Sequence, residues 1–215
     1  MSSPDILLFD LGGVLLDINF DRVYASWARS ASCDMMDIFG KMPRETFDRY
    51  QIGAIDDTTF YAEMIEALGI GISEEDFFEG WNKVFVGEKN GIYDTVFCGE
   101  VLGIYDTLVL ATKKRFPLYL LSNTNPSHYE YFSRRFAGLL KHFKWKFISS
   151  TIGLLKPDPA IFHLVAREIG VTMDRIMFFD DTIENVEGAK ACGLQAVHVT
   201  SQATVIETIS GLSRP

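Results

Sequence analysis

Residues 176–193 read IMFFDDTIENVEGAKACG, and the pattern changes partway along. The opening run, Ile176 to Phe179, is apolar without interruption, which is the pattern of a strand buried on both faces of a parallel sheet. Asp180 and Asp181 end that run. From Ile183 to Ala191 the sequence turns helical, and Cys192-Gly193 stops it. A buried strand that ends in acid and passes directly into a helix is one half of a strand-helix-strand unit.

The same alternation extends outward from this stretch. Short apolar runs that end in polar residues recur at Asp5 to Phe9, Leu118 to Leu121, Lys146 to Ser149 and Gln195 to Val199. Helical stretches lie between the later runs, at Ser127 to Phe136 and at Pro159 to Ile169, where Ile161, Phe162, Val165 and Ile169 share one face. This order predicts an α/β fold with a doubly wound parallel sheet. In such sheets ligands bind beyond the carboxyl ends of the strands, so Asp10, Ser122, Ser149 and Asp180, which close the predicted strands, are the positions to read for chemistry.

The gap between the first strand and the second is too long for one crossover helix. Within it Phe60, Met64, Ile65 and Leu68 form one helical stripe; Phe77, Phe78, Trp81 and Phe85 form another, announced by the capping signal Ser73-Glu74-Glu75-Asp76. The chain therefore divides into a core of residues 1–17 and 88–215 and an inserted helical lobe of residues 18–87. At the junction a tandem repeat stands out: VFVGEKNGIYDT (84–95) is followed by VFCGEVLGIYDT (96–107), identical at nine of twelve positions. Two short copies are too few for a repeat fold. The second copy runs directly into LVLATKKRF, so it is expected to hold the helix before the second strand, and the first copy to be the added segment.

Composition narrows the partners. The 215 residues carry a net charge of −9 and are 47% hydrophobic, an ordinary globular balance. Nucleic-acid binding draws on clustered Lys and Arg, and the one basic cluster here, Arg134 to Lys146, is interrupted by FAGLL, so no nucleic-acid partner is expected. Apolar runs end after about four residues, far short of the roughly 20 that span a bilayer, and no leader opens the chain; the expectation is a soluble, cytoplasmic protein with no membrane partner. Cys33, Cys98 and Cys192 are widely spaced without a CxxC pair and read as small buried hydrophobes. His128, His142, His163 and His198 lack metal-ligand spacing and read as structural.

Four strings could carry chemistry. In FDLGGVLLD, Asp10 closes a strand and Gly12-Gly13 allow a sharp turn that presents backbone amides to a ligand, although a strand-ending Asp is also a common turn residue. LLSNTN offers the Ser122 hydroxyl and the Asn123 backbone amide to an anion. In GLLKPDP, Lys156 sits in a Pro-bounded loop expected just after a strand. In IMFFDDTIEN, Asp180 and Asp181 repel one another unless a cation lies beside them, and oxygen ligands favour Mg²⁺; a helix N-cap is the structural alternative.

Taken in order, Asp, Ser, Lys and Asp-Asp at strand ends resemble the four motifs of the haloacid dehalogenase (HAD) superfamily, and the resemblance covers the whole chain, inserted helical cap included. FDLGGVLLDINF, LSNTN, KPDP and FFDDTIENVEGA are most similar to its bacterial sugar-phosphate phosphatases, the α-D-glucose-1-phosphate phosphatase-like members. The resemblance implies a Mg²⁺-dependent phosphatase acting on a small phosphorylated metabolite. Asp10 would be the nucleophile that carries an aspartyl-phosphate, and Lys156 the catalytic cation. Ser122, Asn123, Lys156 and Gly12 would hold the phosphate; Asp10, the Gly12 carbonyl, Asp181 and, in support, Asp180 would hold the metal. One departure stands at Gly12, where most such phosphatases carry a second Asp that protonates the leaving group. Asp17 or a residue of the cap is the candidate replacement. Two other readings remain beside the phosphatase: a catalytically weak or regulatory protein that binds a phosphate ligand, and a 2-haloacid dehalogenase, which needs no metal.

Overall fold

A computed structural model describes residues 3–86 and 115–212, together with 88–89, 92–93, 108, 111 and 112 between them. In chain order the strands are β1 (Ile6–Phe9), β2 (Glu88–Lys89), β3 (Ile92–Tyr93), β4 (Leu118–Ser122), β5 (Trp145–Ile148), β6 (Ile176–Asp180) and β7 (Gln195–His198). Five of them make one parallel sheet in the order β5-β4-β1-β6-β7; β2 and β3 form a separate antiparallel pair. The first strand of the chain thus lies at the centre, with Phe9 level with Leu120 on one side and with Phe179 on the other. Every described side chain of β1 is buried, as the uninterrupted apolar run requires of a strand covered on both faces.

Alternate residues of β1 feed two cores. Ile6 and Leu8 pack with Phe178 and with Ile161, Phe162 and Val165 of the helix Pro159–Ile169. Leu7 and Phe9 face the opposite layer, and that core continues without a break into the helical lobe. Side chains of this size each contribute roughly 1.5–3 kcal/mol when fully buried, so the shared core ties the two parts together strongly.

The helices of the lobe are α1 (Asp21–Ala31), α2 (Arg44–Gln51), α3 (Asp57–Leu68) and α4 (Glu74–Trp81). Local chemistry sets their ends. The Asp56 carboxylate accepts from the Thr59 amide at 2.8 Å to start α3, which stops at Gly69 in the left-handed region. The Ser73 hydroxyl accepts from the Asp76 amide at 3.1 Å to start α4. Phe60, Met64 and Leu68 are buried along α3, and Phe77 and Trp81 along α4. Trp27 of α1 stacks on both, 4.7 Å from the Phe77 ring and 5.8 Å from Trp81. After the lobe the described residues form the helices α5 (Pro126–Arg135), α6 (Ala137–Leu140), α7 (Ser149–Ile152), α8 (Pro159–Ile169), α9 (Ile183–Ala191) and α10 (Gln202–Gly211), and residues 108, 111 and 112 are also helical.

Several details differ from the sequence reading. Ser149 does not close β5; it opens α7 with its side chain fully buried, where its hydroxyl accepts from the Thr124 amide at 2.8 Å and reaches the Gln51 carbonyl at 2.7 Å. Phe85 does not continue the α4 stripe, because a 3₁₀ turn over Asn82–Val84 comes after Trp81 and Phe85 instead bridges to the backbone of Ile18. Cys33 and Cys192 are half-buried rather than buried, each lying just past a helix end; Cys98 is outside the described residues. Of the first repeat copy, Val84 and Phe85 are core residues and β2 and β3 come next; the second copy lies outside the described residues. No described helix is long and apolar enough to cross a membrane.

Candidate active site

The central position of β1 decides which side chains meet. The Asp10 amide donates to the Phe179 carbonyl at 2.8 Å, which brings the ends of β1 and β6 together and sets Asp10 next to Asp180. Ser122, 4% exposed, ends β4 on the other side of β1. Gly12 forms a bridge with Leu16. At Gly13 the backbone has φ +72°, and a Cβ there would run into the Asp181 carboxylate; only glycine allows the turn after β1 to press against the end of β6. The Gly13 amide, expected to face a ligand, is instead spent on the Leu16 carbonyl at 2.8 Å, which closes the turn on itself.

Lys156 enters this corner from the loop between α7 and α8. Its ammonium donates to Asp10 Oδ1 at 2.7 Å, to Asp180 Oδ2 at 2.6 Å and to the Leu121 carbonyl at 3.1 Å. Those bonds use all three of its protons. The loop itself is gripped from two directions. Asn123 clamps the Lys156 backbone, its Nδ2 donating to the Lys156 carbonyl and its Oδ1 accepting from the Lys156 amide, both at 2.9 Å. Gly188 of α9 lets the loop come close, since a Cβ at that position would stand 2.8 Å from Pro157 Cβ and 2.9 Å from the Pro157 carbonyl oxygen.

Asp180 is fully buried and saturated: Oδ1 accepts from the Thr182 amide at 2.8 Å, and Asn185 Nδ2 bonds both oxygens at 3.0 and 3.2 Å. Asp181 is more open, with its backbone carbonyl accepting from His198 Nε2 at 2.9 Å. His198 and His163 are exposed, while His128 is buried in the seam between lobe and sheet. There Trp81 Nε1 donates to Asn125 Oδ1 at 3.4 Å, Asn125 Nδ2 lies 3.0 Å from His128 Nδ1, and His128 Nε2 lies 3.1 Å from the Trp81 carbonyl. Asp17 is exposed on the segment whose carbonyl pairs with the Val86 amide.

Carboxylate oxygens of Asp10, Asp180 and Asp181 all lie within 4.8 Å of one another. Burial pushes the Asp10 carboxyl up to about 7, against the pull of Lys156 and with a further push from Asp180. Burial, then Asp180, also raises Asp181. Burial disfavours the Lys156 charge, but Asp10 and Asp180 outweigh it and hold the lysine protonated well above its ordinary range. Two like charges 4 Å apart repel by about 4 kcal/mol at the effective dielectric of a protein surface. Three carboxylates against one ammonium leave an excess charge of the size a hard divalent cation neutralises, and the donors are all oxygen, as Mg²⁺ prefers. The residues present fit such an ion.

The structure therefore gathers Asp10, Gly12, Asp180, Asp181 and Lys156 at one corner of the sheet, with Ser122 and Asn123 at the neighbouring strand end. The sequence reading missed the Asn123 side chain as the clamp on Lys156, Asn185 as the partner of Asp180, and Asn125; His128, read as structural, is buried and bonded in the seam. The polar density of LSNTN and the Asn one helical turn after Asp180-Asp181 were signals available for the first two.

Comparisons with known proteins place this geometry. The model of the haloacid dehalogenase-like hydrolase family matches residues 4–193. The D-ribitol-5-phosphate phosphatase of Bacteroides thetaiotaomicron is 23% identical over 195 residues, covering 88% of each chain. A phosphorylated carbohydrates phosphatase of Thermotoga maritima is 26% identical, over 90% of this chain and 84% of that one. Among solved structures, a HAD family enzyme of B. thetaiotaomicron in complex with magnesium and inorganic phosphate superposes with a TM-score of 0.74 at 23% identity, covering 90% of this chain and 93% of its own. The names of these relatives point to sugar and sugar-alcohol phosphates in general; the nearness to α-D-glucose-1-phosphate phosphatases rests on the motif strings.

Proposed function

The chain belongs to the haloacid dehalogenase-like hydrolase family, and from that premise we propose that it is a Mg²⁺-dependent phosphatase of small phosphate monoesters, sugar phosphates above all, working through an aspartyl-phosphate on Asp10. The observation that carries the reading is the shared lysine: Lys156 holds Asp10 and Asp180 together at 2.7 and 2.6 Å in a corner too dry to tolerate unpaired charge. Two relatives named as phosphatases of phosphorylated carbohydrates support the substrate class.

In this reading Asp10, the Gly12 carbonyl and Asp181 hold the Mg²⁺, and Asp180 keeps Lys156 and Asn185 in register behind them. Bound there, the ion neutralises phosphoryl oxygens and the carboxylates that face them. An Asp10 oxygen attacks phosphorus in line; its new bond to phosphorus forms as the bond to the ester oxygen breaks, and that oxygen leaves with the bonding pair and takes a proton from solvent. Ser122 and the Asn123 amide bind the phosphoryl oxygens, while Lys156 offsets their charge and keeps Asp10 aimed. Water then hydrolyses the acyl phosphate and regenerates Asp10. Residues 18–87 act as the cap over this corner. A halide-displacing enzyme needs no cation, and the three convergent carboxylates argue against that alternative.

Phosphate release from a panel of esters, with Mg²⁺ and with excess chelator, tests the reading. Turnover that requires Mg²⁺ and disappears in Asp10→Asn is expected; full activity in chelator, or in that variant, would remove the metal or Asp10 from the mechanism.

A further inference from the structure

Among the described residues beside Asp10, Lys156 and Asp180 have no proton to spare, and an apolar side chain stands next to position 12. Lys156 spends its three protons on Asp10, Asp180 and the Leu121 carbonyl. Asp180 is enclosed by Asn185 and the Thr182 amide. Position 12, two residues past Asp10, has no side chain, and a Cβ built there would meet Ile18, at 3.1 Å from Cδ1, 3.6 Å from Cγ2 and 3.8 Å from Cγ1.

Ile18 is not there to fill the core. It is 41% exposed, whereas Leu15 and Leu16 just before it are 2% exposed. Its position is nevertheless fixed, because its backbone bridges to Phe85, with the Asn19 amide donating to Val84 at 2.7 Å and the Val86 amide to Asp17 at 3.0 Å on either side. A second large exposed apolar residue, Ile183 at 44%, opens α9 two positions beyond Asp181. Exposed apolar side chains next to a charged corner are expected where a ligand covers them.

We propose that Ile18 is the specificity-determining residue of this site. By filling the space beside Gly12 it gives the departing oxygen an apolar neighbour in place of a proton donor, so the enzyme selects esters whose leaving group carries negative charge unaided: aryl, acyl and anomeric phosphates over ordinary alkyl phosphates. The inference rests on the phosphatase reading above. In the transfer step the phosphorus–oxygen bond breaks with both electrons on the leaving oxygen, and that oxygen takes its proton from solvent only after departure. An aligned general acid would supply about 10² to 10⁴ in rate, most for the poorest leaving groups.

The test is the slope of log kcat/KM against leaving-group pKa for a series of substituted phenyl and alkyl phosphates. Wild type is expected to show a steep negative slope. The double variant Gly12→Asp/Ile18→Ala, with the acid installed and the space cleared, is expected to flatten it and to gain at least tenfold on the alkyl members. Gly12→Asp alone is expected to gain less, since Ile18 must give way at 3.1 Å. Ile18→Ala alone, which opens the space beside the departing oxygen to water, is expected to flatten the slope partway and to raise KM for the aryl esters; a slope and KM unchanged from wild type would remove Ile18 from the selection. A shallow slope in wild type overturns the proposal while phosphate release leaves the phosphatase reading standing, and that measurement decides even if the double variant does not fold. No release from any ester with Mg²⁺ present overturns both.

Discussion

At the strand ends, three carboxylates meet around one buried lysine that pairs with two of them; at the seam between α4 and α5, a tryptophan, an asparagine and a histidine close a ring with no net charge. Both regions bury polar groups, and they satisfy them differently. In the seam each donor meets an acceptor inside the protein, and His128 stacks on Trp81 at 4.6 Å, so the ring is complete as it stands. Burial pushes the His128 pKa down to about 3, which keeps the ring neutral. At the strand ends the hydrogen bonds are met but the charge is not. The seam is therefore built to hold, and the corner carries an excess negative charge that the proposed Mg²⁺ would neutralise.

The largest effect on this contrast is expected from Lys156→Ala. Removing the ammonium from a dry corner should lower kcat by about a hundredfold or more, because a cation aimed at developing negative charge contributes several kcal/mol there. Steady-state kinetics check it; a change under threefold would make Lys156 a bystander. Next comes Gly188→Ala. The added methyl would meet Pro157 at 2.8 Å and displace the Lys156 loop, so kcat should fall about tenfold or more while thermal unfolding shifts little. A large loss of stability with normal kcat in the remaining folded protein would show that Gly188 serves packing alone.

The two regions should also respond to pH in opposite directions. The folded chain refuses a proton at His128 that the unfolded chain accepts below about 6.5, so the seam loses stability as pH falls from 6.5 toward 3. In chelator, the folded chain keeps a proton on Asp10 up to about 7 while the unfolded chain releases it near 3.8, so the corner loses stability as pH rises through that window. Denaturant melts in chelator check both: Asp10→Asn should flatten the upper limb relative to wild type, and His128→Gln the lower one. The smallest effect is expected from deleting residues 84–95. Val96-Phe97 then come directly after Lys83 in place of Val84-Phe85, the two core residues that the first copy supplies, and a folded, active protein should result. Loss of soluble protein would mean that the copies are not interchangeable.

These expectations mark how far the sequence could be read. The meeting of Asp10, Ser122, Asp180 and Asp181 was legible because buried parallel strands have a strong signature, and the polar residues just past the apolar run of each strand fall on one edge of the sheet; Lys156 does not follow a strand, since α7 lies between it and β5, and only the resemblance of its KPDP string pointed to it. The lobe's helices were legible from Ser73 and from the Phe60 and Phe77 stripes for a similar reason, since caps and periodicity are local. The roles of Asn123, Asn185 and Gly188 were not. The bond from Asn123 to the Lys156 loop spans 33 positions, and the Gly188 contact depends on how closely α9 packs against that loop. The Gly13 amide went the other way. It looked free to bind a ligand until the turn folded back on Leu16.

The most direct test of the account is to trap the enzyme during turnover. Mixed with an aryl phosphate and Mg²⁺ and quenched in acid within milliseconds, the protein should carry one phosphoryl group by intact mass, mapped by peptide analysis to Asp10, and the Asp10→Asn variant should carry none. Turnover by wild type with the enzyme unlabelled at every quench time, together with an Asp10→Asn variant as active as wild type, would contradict it.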